Sequence, residues 1–173
     1  MKNITKAILA VSKEVTAIEK SMSVGTGSSS YKAVSDSIVR NTLRPHMEKQ
    51  GLVIIPISVQ GTTKVDRWDE LDPYAKVAGG TKSKQSIFTE THTKYLLVHQ
   101  ESGESIELAG YGHGVDSQDK GAGKATTYAL KNTLLDLFLI TKGEDFDTDA
   151  THSNDIAVPK VYSKSKPVDD FTI

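Results

Sequence analysis

Apolar residues recur at spacings of three and four from the start of the chain: Ile4, Ile8, Val11, Val15 and Ile18. A helix over 4–20 gathers all five on one side. The composition of "SVGTGSSS", residues 23–30, predicts a flexible linker. A second helix is expected from about Val34 to Gln50, with Ser35 as its cap and Gly51 ending it. Ile38, Val39, Leu43 and Met47 form its buried side. The pattern then turns strand-like. "LVIIPISV", 52–59, is rich in β-branched residues, with Pro56 marking an edge or a bulge. Residues 61–83 are polar and glycine-containing, with Trp68 and Tyr74 among charges, and read as a long loop or a poorly packed hairpin. Alternation resumes over 86–99, "ESGE" at 101–104 makes a turn, and "SIELAGYG" is the returning strand. Residues 121–138 make a third helix.

This α-α-β-β-β-α order predicts an α+β fold: a three-stranded antiparallel sheet packed by helices, over residues 1–142. Residues 143–173 are acidic, then rich in Pro, Ser and Lys, and are expected to be a disordered tail. Length and composition agree: 173 residues, 37% hydrophobic, suffice for one domain with a real core. The formal net charge of −1 hides an asymmetry. Residues 1–139 carry 17 Lys+Arg against 15 Asp+Glu, and residues 140–173 carry 4 against 7. A mildly basic body with an acidic tail is a pattern met in nucleic-acid binders. The absence of cysteine excludes disulfides and thiolate metal sites. No apolar run approaches the roughly 18 residues of a membrane span. Lys6, Lys13 and Glu14 interrupt any signal-peptide core, so the expected location is the cytoplasm that made the protein.

"DKGAGKATTYALK", 119–131, invites a nucleotide-loop reading, which fails. The pattern G-x-x-x-x-G-K-[ST] would need glycine at Gln118 and a hydroxyl at Ala125. The dinucleotide pattern fails at Val115, although Gly110 and Gly112 are correctly spaced. No cofactor is therefore expected. As a helix the stretch makes better sense. Lys120, Lys124, Thr127 and Lys131 fall within about 60° of one another, over about 16 Å of rise. Ala122, Ala129, Leu130, Thr133 and Leu137 fall on the opposite side. One face would pack on the sheet while three ammonium groups and a hydroxyl face a sugar–phosphate backbone. A binding groove needs charge from other elements too. Lys82, Lys84 and Lys94 in or beside the hairpin, Arg40 and Arg44 on the second helix, and Tyr31 and Lys32 after the linker could supply it. Tyr31, Trp68, Tyr111 and Tyr128 are candidate rings for base stacking.

Three segments together resemble the essential-recombination-function (ERF) family of phage single-strand annealing proteins. "YKAVSDSIVRNTLRPHMEKQGLVIIP" (31–56) resembles its opening tyrosine-containing segment, helix and strand. "GYGHGVDSQDKGAGKATTYALKNTLLDLFLI" (110–140) resembles its signature: a small-residue turn, Asp-x-x-Asp-Lys, then Lys-Ala-x-Thr and a helix ending in Leu and Phe. "GEDFDTDA" (143–150) resembles the acidic segment that often closes the domain. Asp116, Asp119 and Lys120 match the signature, and Gly114 and Val115 widen its turn. The Gly-Tyr-Gly turn and the following helix are also similar to the eukaryotic ring-forming strand-annealing mediator. There, Lys131 matches a DNA-contacting lysine, while Asn132 replaces the basic residue that follows it. The resemblance implies an oligomer, ring or filament, that coats single-stranded DNA and anneals complementary strands without ATP, in phage recombination within a bacterial host cell.

Other chemistry is thin. Asp116 and Asp119 would cap the third helix or pair with lysines of a neighbouring subunit. "DFDTDA" places Asp145, Asp147 and Asp149 like a calcium loop, but Ala150 and Ile156 occupy the required glycine and glutamate sites. His46, His92, His99, His113 and His152 lack ligand spacing. No metal site and no catalytic residue are therefore expected. Asp169, Asp170 and Phe171 in "PVDDFTI" resemble the acidic-apolar tips by which single-strand-binding proteins recruit partners. They suggest a partner such as a single-strand-binding protein or an exonuclease. Two alternatives stay open: a small nuclease using Asp116 and Asp119 with a divalent metal, or an oligomeric adaptor that does not bind DNA.

Overall fold

The computed structural model describes residues 1–24, 30–75, 77 and 79–142, with Val24 and Tyr31 described in backbone only. The expected disordered tail, including Asp169, Asp170 and Phe171, lies outside the described residues. Among the described residues, three helices and a three-stranded antiparallel sheet confirm the α+β reading.

Helix α1 spans Lys2–Glu14, ending before the expected residue 20. Val15 is extended, yet Val15 and Ile18 stay buried, because the chain continues as an extended segment bridged to Thr141. Helical spacing therefore outlasts the helix itself. No local side chain caps α1. Glu104, from the turn before the last strand, accepts the Asn3 and Ile4 N–H groups at 2.8 Å instead. The expected flexible linker is flanked by short paired strands, β1 (Met22–Val24) and β2 (Tyr31–Ala33). Helix α2 spans Asp36–Lys49, and Ser35 caps it by accepting the Ile38 N–H at 3.2 Å.

Strand β3 (Leu52–Leu71) pairs with β4 (Thr81–His99), which pairs with β5 (Ser105–Asp116), in the order β3-β4-β5. The register slips between Pro56 and Ser58, at the proline that marked an edge or bulge. Residues 61–71 and 81–83 are thus arms of one long hairpin, the second of the two readings, rather than a loop. Their sequence left both open because both faces of the ribbon are exposed there, so no apolar alternation was required.

One face of the sheet carries Thr89, Thr91, Thr93, Tyr95 and Leu97 of β4, all buried. Helix α3 (Gly121–Leu137) lies across this face. Its close approach depends on β5. Gly110, Gly112 and Gly114 all face the helix, and a Cβ on Gly112 would collide with the Ala125 carbonyl and lie 2.6 Å from the Ala129 nitrogen. The Gly-Tyr-Gly segment, a turn by the family resemblance, is strand, as the returning strand "SIELAGYG" predicted. Alternation sends Tyr111, His113 and Val115 to the opposite face. The hydrophobic core joins α1 (Ile4, Val11), α2 (Val39, Leu43), Leu97 and the end of α3 (Leu135, with Phe138 beyond it). Among the described residues no helix is long and apolar enough to cross a membrane.

Candidate nucleic-acid interface

The interface is built around the entry to α3. Asp116, at the end of β5, accepts the Gln118 N–H at 2.9 Å and the Lys120 N–H at 3.4 Å through Oδ1. Its Oδ2 receives the Lys124 ammonium at 2.5 Å, and that ammonium also donates to the Val115 carbonyl at 2.9 Å. The hydrogen bond from Lys124, and next the one from Gln118, hold the Asp116 carboxyl below its ordinary range. Asp116 thus organises the strand-to-helix turn and pairs within its own chain. Asp119 and Lys120 are exposed, and Lys120 has no ion pair among the described residues.

Thr127 lines a groove of about 360 Å³ with Arg40, Val59, Thr93, Thr126 and Leu130. This groove separates the outer side of α3 from edge strand β3. Arg40 is held by Asp36 at 2.7 Å and Arg44 by Glu48 at 2.7 Å, both along α2. Lys32 donates to the Ser23 hydroxyl at 3.0 Å. The side chain of Tyr31 lies outside the described residues.

Lys131 departs from the expected solvent-facing stripe. It is 9% exposed, its ammonium donates to the Val34 carbonyl at 3.1 Å, and it lies 4.2 Å from the centre of the Tyr128 ring. The reason is tertiary: α2 and the chain leading into it cover this half of α3. Burial, and then Lys142, push the Lys131 ammonium below the ordinary lysine value, with Asp36 opposing. The outward ladder therefore shortens to Lys120, Lys124 and Thr127.

Lys82, Lys84 and Lys94 lie on the face of the sheet opposite α3, by register with Glu70, Trp68 and Ser58 of β3. Each has an acidic neighbour: Asp72 at 3.9 Å, Glu70 at 2.6 Å and Glu107 at 3.9 Å respectively. Register places Lys82 and Lys94 away from the lysines of α3, and Lys84, on the same face, also reaches the rim of a hollow at the turn into α3. Trp68 and Tyr111 share the hairpin lysines' face, and Tyr128 is spent on Lys131.

One cation was missed by sequence reasoning. Arg67 of β3 meets only the Gln85 amide, at 3.3 Å, and no carboxylate among the described residues. Gln85 is anchored to the Ser117 carbonyl at 2.8 Å, which sets Arg67 beside the turn into α3. With Lys84 and Gln118 it lines an open hollow there. Its signal was weak because residues 61–83 read equally as a long loop or a poorly packed hairpin, with no face assigned to Arg67. Among the described residues no three His, Asp or Glu side chains are grouped to hold a metal.

Residues 4–170 match the family model of the ERF superfamily. The chain belongs to that superfamily. Membership implies a part in recombination by single-strand annealing. The signature stretch of this ERF-superfamily chain is the β5–α3 unit, in which the glycines seat the helix and Asp116 fixes the turn. No curated protein matches the chain.

Proposed function

We propose that the protein binds single-stranded DNA along the outer face of α3 and anneals complementary strands without ATP. It does so as a homo-oligomer, ring or helical, in phage recombination inside the bacterial cell. The observation that carries this reading is the exposed surface at the entry to α3, where Lys120 and Lys124 lie at the turn near Arg67 and Thr127 lines the groove shared with Arg40. Cations drawn from three elements can follow a backbone while leaving its bases free to pair.

The ion pairs of Lys124 and Arg40 do not obstruct this role. The cationic side chains are about half exposed, so a phosphate can compete for them from solvent. Asp116 retains two backbone N–H donors when Lys124 leaves it. Lys82, Lys84 and Lys94 belong to the opposite face, and Lys32 and Arg44 extend the basic surface at its periphery. Assembly of copies would use the sheet edges, since β3 exposes Val53, Ile55, Ile57 and Val59 along its length. The protein needs no catalytic residue for this work, and the acidic tail with Asp169, Asp170 and Phe171 would recruit a single-strand-binding protein or an exonuclease.

The test is annealing of two complementary labelled oligonucleotides without nucleotide, at two salt concentrations, with strand length checked on a denaturing gel. Acceleration that fades with salt, with strands intact, is the expected result. Magnesium-dependent shortening would replace the proposal with a nuclease. Intact strands with neither binding nor acceleration would leave an adaptor.

A further inference from the structure

The face of the sheet away from α3 carries a continuous row of rings. His92 and Tyr111 have centroids 5.2 Å apart, Tyr111 and His113 6.1 Å, and His113 and Phe88 5.8 Å with planes only 25° apart. The row follows from the glycine alternation of β5. Because Gly110, Gly112 and Gly114 seat the helix, Tyr111 and His113 stand on the other side. Cross-strand register places His92 opposite Tyr111 and Phe88 opposite Val115. Tyr111 is 48% exposed and Phe88 36%. At about 3.3 Å per residue, the row from His92 to Phe88 runs about 13 Å along the strands, enough for two or three bases.

We infer that this row is a base-stacking platform for single-stranded DNA, on the face opposite the α3 surface. The inference rests on the reading that the chain binds single-stranded DNA. Two observations favour bases over a packed copy of the chain. Charged side chains border the rings on the same face, Lys94 and Glu107 on one side and Glu90 beside His92, whereas the centre of a protein interface is depleted of charge. The apolar patch suited to a neighbouring copy lies farther along β3, at Val53 and Ile55. The carboxylates Glu90 and Glu107 also disfavour phosphates over the rings. Bases therefore face the sheet and the backbone runs outward, so this contact carries little salt dependence. Together the two faces give one subunit a surface for phosphates and another for bases.

The experiment compares binding of oligo(dT) and of an abasic strand of equal length by the full chain, at several salt concentrations. The unmodified protein should bind the abasic strand about tenfold more weakly. Tyr111→Ala and Tyr111→Leu should lose about tenfold in affinity for oligo(dT), with the salt slope and the mass of the assembly unchanged. Tyr111→Phe, which keeps the ring, should bind like the parent. Equal binding of both strands by the unmodified protein, with normal salt dependence, would overturn the platform and leave the α3 reading standing. A fall in assembly mass on Tyr111→Ala that Tyr111→Leu restores would overturn it in favour of copy packing. No binding of either strand would remove the functional reading itself.

Discussion

Lys124 and Lys131 lie one heptad apart on one helix, on the same side of it, and meet opposite fates. Lys124 is 46% exposed in its side chain and clasps Asp116 at the turn into α3. Lys131 is buried and tied to the Val34 carbonyl. In its first half α3 covers the sheet with one face and leaves the other to solvent. In its second half Leu134 and Leu135, with Phe138 beyond, are buried as well, so the helix is enclosed on both sides. Angular position around a helix says which residues travel together. It does not say how many layers lie above them.

The contrast can be broken most severely through β5. Gly112→Ala would drive a methyl into the backbone of α3 at Ala125 and Ala129, in the first half. It should cost about 3 kcal/mol in urea unfolding followed by circular dichroism. Gly110→Ala meets only side-chain atoms, of Thr93, Thr133 and Tyr95, rather than the backbone of the helix, and should cost less. Equal losses would mean that both halves sit on the sheet with the same freedom.

The next effect separates the lysines. Lys131→Ala should destabilise by about 2 kcal/mol, because it strands the Val34 carbonyl and empties the space under α2. Lys124→Ala should leave the unfolding midpoint near that of the parent. It should instead weaken binding to all single strands alike and reduce the salt slope by about 1. If Lys131→Ala lowers the salt slope while stability holds, the buried description of Lys131 is wrong. If Lys124→Ala leaves the isotherm unchanged, the outer face of α3 is not the phosphate path.

The smallest effect is on pH dependence: each group is held below its ordinary value, so stability rises with pH in both halves, in the acid range for Asp116 and in the alkaline range for Lys131. The carboxyl of Asp116 is held low by Lys124, and that of Glu104 by the Ile4 N–H. Their stabilisation is present above the ordinary carboxylate range and is lost as pH falls through that range to the lowered values. Thermal unfolding at decreasing pH should therefore show a steeper loss for the parent than for Asp116→Asn. Lys131 is held below the ordinary lysine value by burial, so its charged form opposes folding. The parent should gain on Lys131→Met as pH rises from the lowered value to the ordinary one.

Much of this molecule was legible in its residues. Ser35 and Gly51 bracket α2, Pro56 sits at the register slip, and the order of elements gave the α+β class. The resemblance carried by residues 110–140 named the superfamily. Reading failed where local signals serve two structures. The resemblance made Gly110-Tyr111-Gly112 a turn, whereas the strand pattern of 105–112 held and its glycines are there to admit a helix. Val15 and Ile18 keep helical spacing but are buried from an extended segment. Residues 61–71 show no alternation because neither face of the ribbon needs it.

What the sequence by itself determined is therefore the order of the main elements and the family. Those depend on local backbone preference and on side-chain chemistry, which each residue carries with it. Only the tertiary structure decided that Lys131 goes inside, that Lys82, Lys84 and Lys94 face away from α3, and that four rings form one row. Each of those outcomes depends on which layer covers a face and on strand register, and both are set by residues far apart in the chain.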